Sequence, residues 1–335
     1  MRFAFSEDQL AFRDAVRDLL AKVAAPDTLR TVWDGERGYD PGTWSHLAEM
    51  GVLGLLAPEA AGGLGLTEVD LVLILEECGR GALPGPLVEH AAVAVPTLAL
   101  GTRTSDGDSL PRWLRAAASG EILVSAGLDG PAAVAYGAEA DLLLVEHRDG
   151  IHVVERVDVT VVRSRLSVDR SRPFAEIEWS RSTPLPGADP ALFRARGAAA
   201  TAAVLCGLAT HLIGTTADYV KERRQFGVPV GSFQAVKHHL ADALIALEHA
   251  RPAVYCAAWS IASAQPTLVR DASFAKVYAN KAAGVAARAA LQCHGAIGYT
   301  FEHDLHLWLK RIWSLQRAWG DTAHHRDKVA AAILV

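Results

Sequence analysis

Cysteine is scarce in this sequence, and the cysteines that are present lie far apart. The 335 residues include four of them, with no CxxC pair: Cys78, Cys206, Cys256 and Cys293. Three of the four lie in apolar stretches with helical spacing. This distribution argues against a disulfide framework or a zinc site, and it favours a reducing compartment.

Concentrations of positive charge and long apolar runs are also missing. The net charge is −5 and both signs are scattered, so nucleic acid is not an expected partner. Glu7 and Asp8 stand where a signal peptide would carry apolar residues. The longest apolar run, Ala198 to Ala209, is too short to span a bilayer and is made of small residues. We read it as a buried helix, and we expect a cytoplasmic protein without membrane contact.

Aromatic residues are few, whereas alanine, leucine and valine are abundant. Aromatics make up 7% of a chain that is 50% hydrophobic. This composition suits packed helices better than a β-sandwich, and the chain is long enough for two or three domains.

The predicted elements change type along the chain. Residues 1–120 have helical periodicity, beginning where Ser6 precedes Asp8 and Gln9. Residues 121–188 contain short β-like runs separated by turn residues, which predicts a small domain of five or six strands. Residues 189–335 return to helices, with four long stretches at 193–221, 232–265, 266–295 and 304–334. A helix–strand–helix order predicts a mostly α protein with a small central β-domain, rather than a doubly wound sheet.

Five segments, in this order, resemble the acyl-CoA dehydrogenase family. They are FSEDQLAFRDAVRDLL, WSHLAEMGVLGLLAPEAAGGLGL, LEECGRGALPGPL, YVKERRQFGVPVGSFQAVKHHLAD and LQCHGAIGYTFEHDLHLWLKR. Together they span nearly the whole chain outside the β-domain. The resemblance implies the acyl-CoA dehydrogenase fold: a helical domain, a β-domain and a C-terminal four-helix bundle that drives oligomerisation. It also implies FAD as the cofactor.

The KERRQFG segment carries residues that the family uses on the cofactor of a neighbouring subunit. Arg223 matches the arginine that contacts the flavin diphosphate, and a guanidinium suits that anion because it donates in a planar fork. Gln225 and Phe226 match its neighbours, with Phe226 packing beside the cofactor. Gly227 is predicted to end the helix. The alternative is that Arg223 and Arg224 form a solvated helix end.

A second cofactor segment is QCHGA. Gln292, Gly295 and Ala296 match the family's Gln-x-x-Gly-Gly turn, whose backbone approaches the adenylate part of a neighbouring cofactor. Ala296 replaces the second glycine, which is tolerable if its φ is negative. Gln234 matches a further family position near the flavin. The histidines that follow it, His238 and His239, are read as surface or structural residues.

The base of the family reaction is missing from both of its customary positions. Acyl-CoA dehydrogenation transfers a hydride to the flavin and needs a carboxylate to take the α-proton of the thioester. The register of the family motifs places Trp319 at one base position and Gly197 at the other. Asp321 is the nearest carboxylate to the first position. It is a weak candidate for the base, and a surface acid is its alternative interpretation.

The β-domain departs from the family as well. The segments that hold the flavin ring and the thioester are absent, and this region reads ILVSAGLDGPAAVAYGAEADLLL. The groups that a subunit lends to its neighbour's cofactor are kept, while those it uses on its own substrate are lost. This pattern resembles the small subunit of the α2β2 acyl-CoA dehydrogenases of actinobacterial steroid side-chain degradation, which carry one flavin per heterodimer.

The resemblance therefore implies a subunit of a heteromeric acyl-CoA dehydrogenase that is inactive alone. A homologous partner would supply the base, the flavin-ring pocket and most of the acyl-CoA site. Two alternatives remain open: a self-sufficient homo-oligomeric dehydrogenase that uses Asp321, and a non-catalytic structural paralogue. The retained cofactor motifs disfavour the paralogue, because a structural subunit has no need of a diphosphate clamp.

Overall fold

The N-terminal part of the chain is helical. The structure is a computed structural model that describes residues 4–102, 109–128 and 133–334. Ser6 caps the first helix as the sequence predicts: its side chain and that of Gln9 close a reciprocal capping box. A wide π-helical turn, Val88–Ala94, precedes the fifth helix. The helices of this part are α1 (Glu7–Val23), α2 (Pro26–Asp34), α3 (Pro41–Glu49), α4 (Glu68–Arg80), α5 (Val95–Gly101) and α6 (Ser109–Ala118).

The central part is a pair of small sheets, as the predicted fold class requires, but its described residues form seven strands where the sequence predicted five or six. The strands are β1 (Val124–Gly127), β2 (Val134–Ala135), β3 (Leu142–His147), β4 (Gly150–Glu155), β5 (Val159–Arg165), β6 (Phe174–Trp179) and β7 (Thr183–Pro184). One sheet has the order β1-β3-β4-β7 and the other β2-β6-β5. Among the described strands, only β1 and β3 pair in parallel; β3 and β4 form an antiparallel hairpin.

The C-terminal part is a bundle of three long helices and a fourth, interrupted one. The long helices are α7 (Pro190–Glu222), α8 (Gln234–Ala262) and α9 (Leu268–His294). The fourth consists of α10 (Leu305–Leu315) and α11 (Thr322–Ile333). The sequence reading of one helix over 304–334 is thus wrong at 316–321, where Trp319 and Gly320 have positive φ angles that a right-handed helix does not allow.

The helix α7 is the centre of the bundle. By length and apolar composition it could cross a membrane, but 78% of its most apolar window is buried inside the protein. Its small residues allow close contact with α4 and α9. The predicted buried helix over Ala198–Ala209 is confirmed, because these small side chains lie in the core.

A β-hairpin, not a helix end, follows α7. The strands β8 (Arg224–Gln225) and β9 (Val228–Pro229) are joined by Phe226 and Gly227, both with positive φ. Two positive φ values define a type I′ turn. The prediction that Gly227 ends the helix is therefore wrong: the helix ends at Glu222, and Gly227 completes the hairpin.

A buried polar network joins the three parts of the molecule. The guanidinium of Arg311, on α10, forms an ion pair with Asp169 and donates to the Ser171 hydroxyl at 2.7 Å. It also donates to the backbone carbonyl of Leu83 at 2.5 Å. A charge buried this deeply is stable only when it is paired. The network therefore fixes the β-domain and the N-terminal helices against the bundle.

Candidate functional site

An open cleft lies where α7 ends, α8 begins and α9 ends. Its volume is about 540 Å³. The cleft gathers most of the residues that the sequence assigned to the cofactor, although Arg223 and Gln292 lie about 70 positions apart in the chain. Those that line it are Arg223, Gln225, Gln292, Gly295 and Ala296.

Three polar side chains of this cleft have no partner of their own among the described residues. Among the described residues, no side-chain hydrogen bond or ion pair engages Arg223, Gln225 or Gln292. The α8 helix begins without a side-chain cap, and Ala235 and Val236 of its first turn line the cleft. Uncapped amides at a helix N-terminus attract anions. The donor set therefore suits a phosphate-bearing ligand.

The turn after α9 needs glycine at one position and accepts alanine at the next. Gly295 has φ 66° and ψ −141°, a conformation open essentially only to glycine. A Cβ on Gly295 would meet open space, so the backbone angle, not crowding, requires the glycine. Ala296 is not among the residues with positive φ, so the turn tolerates its methyl group.

Two of the sequence-assigned residues lie outside the cleft lining. Phe226 stands at the tip of the hairpin with 90% of its surface exposed, and its φ of 54° is unusual for a bulky residue. Gln234 is the first residue of α8, and its successors line the cleft in its place. Both remain predictions as cofactor contacts.

The cleft also contains histidines that sequence reasoning missed. His239, interpreted as a surface residue, lines it one turn into α8. His294 lines it too, stacked on Tyr219 with ring centroids 4.3 Å apart. The Nδ1 atom of His294 lies 2.8 Å from the Ala290 carbonyl, so Nδ1 carries the proton. Burial lowers the pKa of His294. The sequence offers one signal for His239: it lies about one turn after the SFQ segment, at which α8 begins.

The two positions that match the family's base touch each other. The indole of Trp319 lies on the Cα of Gly197, so that a Cβ there would come 2.5 Å from Cε2 and closer still to Cδ2 and Cε3. Phe193, one turn earlier on α7, meets the indole edge-on at 5.4 Å. These positions hold an aromatic stack and no carboxylate.

Asp321, the weak candidate for the base, caps a helix. Its Oδ1 accepts from the backbone N–H of His324 at 2.9 Å, at the start of α11. This backbone hydrogen bond lowers the pKa of Asp321. A base for an α-proton needs a raised pKa and a place beside the substrate. The geometry favours capping over catalysis.

The comparisons with known proteins agree with the fold. Residues 6–121 match the family model of the acyl-CoA dehydrogenase N-terminal domain, and residues 194–334 match that of the C-terminal domain. The chain belongs to the acyl-CoA dehydrogenase family and is by that membership a flavin-dependent oxidoreductase. It is 33% identical to the acyl-CoA dehydrogenase IpdE2 of Mycolicibacterium smegmatis, with 98% of this chain and 99% of the relative covered.

Solved structures give the same picture. A variant of the Tcur3481-Tcur3483 steroid ACAD superposes with a TM-score of 0.86 at 25% identity, covering 98% of each chain. The ChsE4-ChsE5 complex from Mycobacterium tuberculosis gives a TM-score of 0.88 at 22% identity, covering 100% of this chain and 99% of that one. The second likeness shows a shared fold.

The cofactor that family membership implies is FAD, and the cleft fits one part of it. A free guanidinium, uncapped helix amides and two side-chain amides match the oxygen-rich diphosphate of a dinucleotide. Arg223, Gln225 and Gln292 would hold this part, with Gly295 and Ala296 at close backbone range.

Proposed function

We propose that this chain is one subunit of a heteromeric, FAD-dependent acyl-CoA dehydrogenase. It lends Arg223, Gln225 and Gln292 to a cofactor whose flavin ring lies in a homologous partner subunit. The partner supplies the base and most of the acyl-CoA site, in an assembly of two copies of each subunit. The bound flavin accepts the hydride removed from the β-carbon of the thioester.

The observation that carries this proposal is the contrast within one chain. The cleft keeps unpartnered donors on an open surface, whereas the family's base positions are occupied by Trp319 and Gly197. A chain with only the first set can bind part of a cofactor but cannot take a proton from a substrate. A complementary subunit completes the site.

Relatives suggest the class of substrate. The structural relative at 25% identity is described as a steroid ACAD, and it is named as a pair of proteins. We infer a CoA thioester of a steroid side chain as the substrate of the assembled enzyme, in the cytoplasm.

The first test is the flavin content of purified protein. The chain is expressed alone and together with a homologous acyl-CoA dehydrogenase subunit encoded beside it, and the flavin-to-protein ratio is read from absorbance. We expect little flavin on the chain alone and about one flavin per pair in the complex. A full flavin complement and turnover with the chain alone would overturn the proposal.

The second test is Arg223→Ala in the complex. Loss of a charge-assisted hydrogen bond to a phosphate costs about 2 kcal/mol, which corresponds to roughly 30-fold weaker FAD binding. The matched control is Arg224→Ala, because Arg224 lies next to Arg223 on the hairpin but does not line the cleft. Equal flavin affinity in the two variants would show that Arg223 does not bind the cofactor.

A further inference from the structure

The segment between α10 and α11 holds a bulky residue in an unfavourable conformation. Trp319 has φ 59°, in the left-handed region that β-carbon-bearing residues rarely adopt, and Gly320 follows with φ 104°. Such a conformation persists only where surrounding contacts enforce it, and it is found where a protein has a use for it. Only 8% of the Trp319 surface is exposed, so the ring points inward.

The indole ring packs directly against the backbone of α7. Gly197 offers its bare Cα to the flat face of the ring, and any larger residue there would overlap the ring atoms. Phe193 closes one edge of this space. On its other side, Trp319 forms a wall of a cleft of about 210 Å³, which also contains the buried ion pair of Glu89 and Arg172. Removing the indole would extend that cleft to the backbone of α7.

A buried lysine holds the segment in place. Lys276, on α9, has no exposed surface, and its Nζ donates to the carbonyls of Leu315, Gln316 and Gly320 at 3.1 to 3.3 Å. It also donates to the Asn280 side chain at 3.0 Å. Three carbonyls on both sides of Trp319 are thereby fixed to one point on α9.

Further contacts secure the same segment. The Asn280 amide donates to the Gln316 carbonyl at 3.2 Å and to the Thr322 hydroxyl at 3.0 Å. The Gln316 side chain donates back to the Asn280 carbonyl at 2.8 Å. The Nε2 of His325 lies 3.0 Å from the Trp319 carbonyl itself. This density of pairing is what a strained residue needs to stay in place.

We propose that Trp319 is a seal that closes the acyl pocket of this chain from within, so that an assembled pair of subunits offers one acyl-thioester site and not two. The inference rests on the proposed function, because it assumes a partner that keeps an open pocket. Trp319 and Gly197 occupy the positions where the family's base reaches the α-carbon. The aromatic stack fills that place, and the pairing around Lys276 prevents the ring from swinging out.

The test of the seal begins with the chain by itself. Trp319→Ala should create an apolar cavity that binds free indole, seen as a rise in melting temperature on adding indole. The unsubstituted chain should show no such rise. The matched control is Trp313→Ala, which removes an equal ring from α10 where 43% of the side chain is already exposed. Indole binding that is equal in the two variants, or absent from Trp319→Ala, would overturn the seal.

The acyl pocket itself is tested in the complex. Binding of a non-oxidisable 3-thia acyl-CoA is counted by calorimetry, with one equivalent per pair expected for the natural sequence and a second, weaker one for Trp319→Ala. Two equivalents without the substitution, or still one with it, would contradict the seal. If Trp319→Ala does not fold, Trp319→Phe covers less of Gly197 and should admit indole weakly. The flavin-to-protein ratio is measured separately from indole binding. The indole result can therefore still be interpreted if the partner proposal fails.

Discussion

The cofactor cleft and the Trp319 stack lie near opposite ends of α7 and are built in opposite ways. Along that helix Gly197 and Arg223 are separated by roughly 39 Å at 1.5 Å per residue. At the cleft, Arg223 and Gln292 face solvent with no partner among the described residues, and α8 begins uncapped. At the stack, Lys276 and Asn280 pair the segment's carbonyls.

The difference separates groups that await a ligand from groups that hold a space closed. Unpaired donors on a surface cost little because water satisfies them, and they remain available to an anion. Buried donors must be paired within the fold, and once paired they stabilise a single arrangement. Under the proposed function, the same chain keeps one site available for a partner's cofactor and another closed to substrate.

The largest effect on unfolding free energy is expected from substitution at Gly197, in the Trp319 stack. Gly197→Ala places a methyl group inside the Trp319 ring, and overpacking of this kind costs about 3 kcal/mol of unfolding free energy. The loss is measured by urea unfolding. In a Trp319→Ala background the same substitution should cost little, because the ring is gone. Equal losses of unfolding free energy in the two backgrounds would show that the contact between Gly197 and Trp319 does not hold the stack.

The sequence could predict the cleft but not the stack. The KERRQFG and QCHGA motifs could be assigned to one cofactor because each resembles a family motif, and they do line one cleft. The Ser6 cap could be predicted because it depends only on neighbouring residues. The break at 316–321 depends on Lys276, some 40 positions earlier, so no local sequence pattern predicts it. The hairpin after Glu222 was missed because its I′ turn has Phe-Gly where Asn-Gly is usual.

Acid should destabilise the Trp319 stack. Burial, reinforced by the charge of Lys276, lowers the pKa of His325 to about 4 from an ordinary 6.5. The unfolded chain therefore binds a proton more readily than the folded one between these values. The stabilising contribution is complete above about pH 6.5 and is lost as the pH falls toward 4, by about 1–2 kcal/mol at pH 5.

This acid effect is measured as the melting temperature between pH 7.5 and pH 5. His325→Gln keeps a donor for the Trp319 carbonyl but does not titrate, so its melting temperature should fall less over that range. His46→Gln is the matched control, because His46 is exposed on α3. If His325→Gln and the natural sequence lose the same stability, the histidine does not support the stack.

The smallest effect is expected at the tip of the hairpin, where it bears on the cleft. Phe226 has φ 54° and 90% of its surface exposed, so in the isolated chain its ring gains little from packing while its backbone is strained. Phe226→Asn suits the I′ turn and should raise the unfolding free energy of the chain alone by about 0.5 kcal/mol. The same change should weaken flavin retention in the complex, if the ring packs beside the partner's cofactor.

Lys237→Ala, an exposed change on the neighbouring α8, should do neither. A gain in stability with unchanged flavin retention would mean that Phe226 is strained for some purpose other than the cofactor.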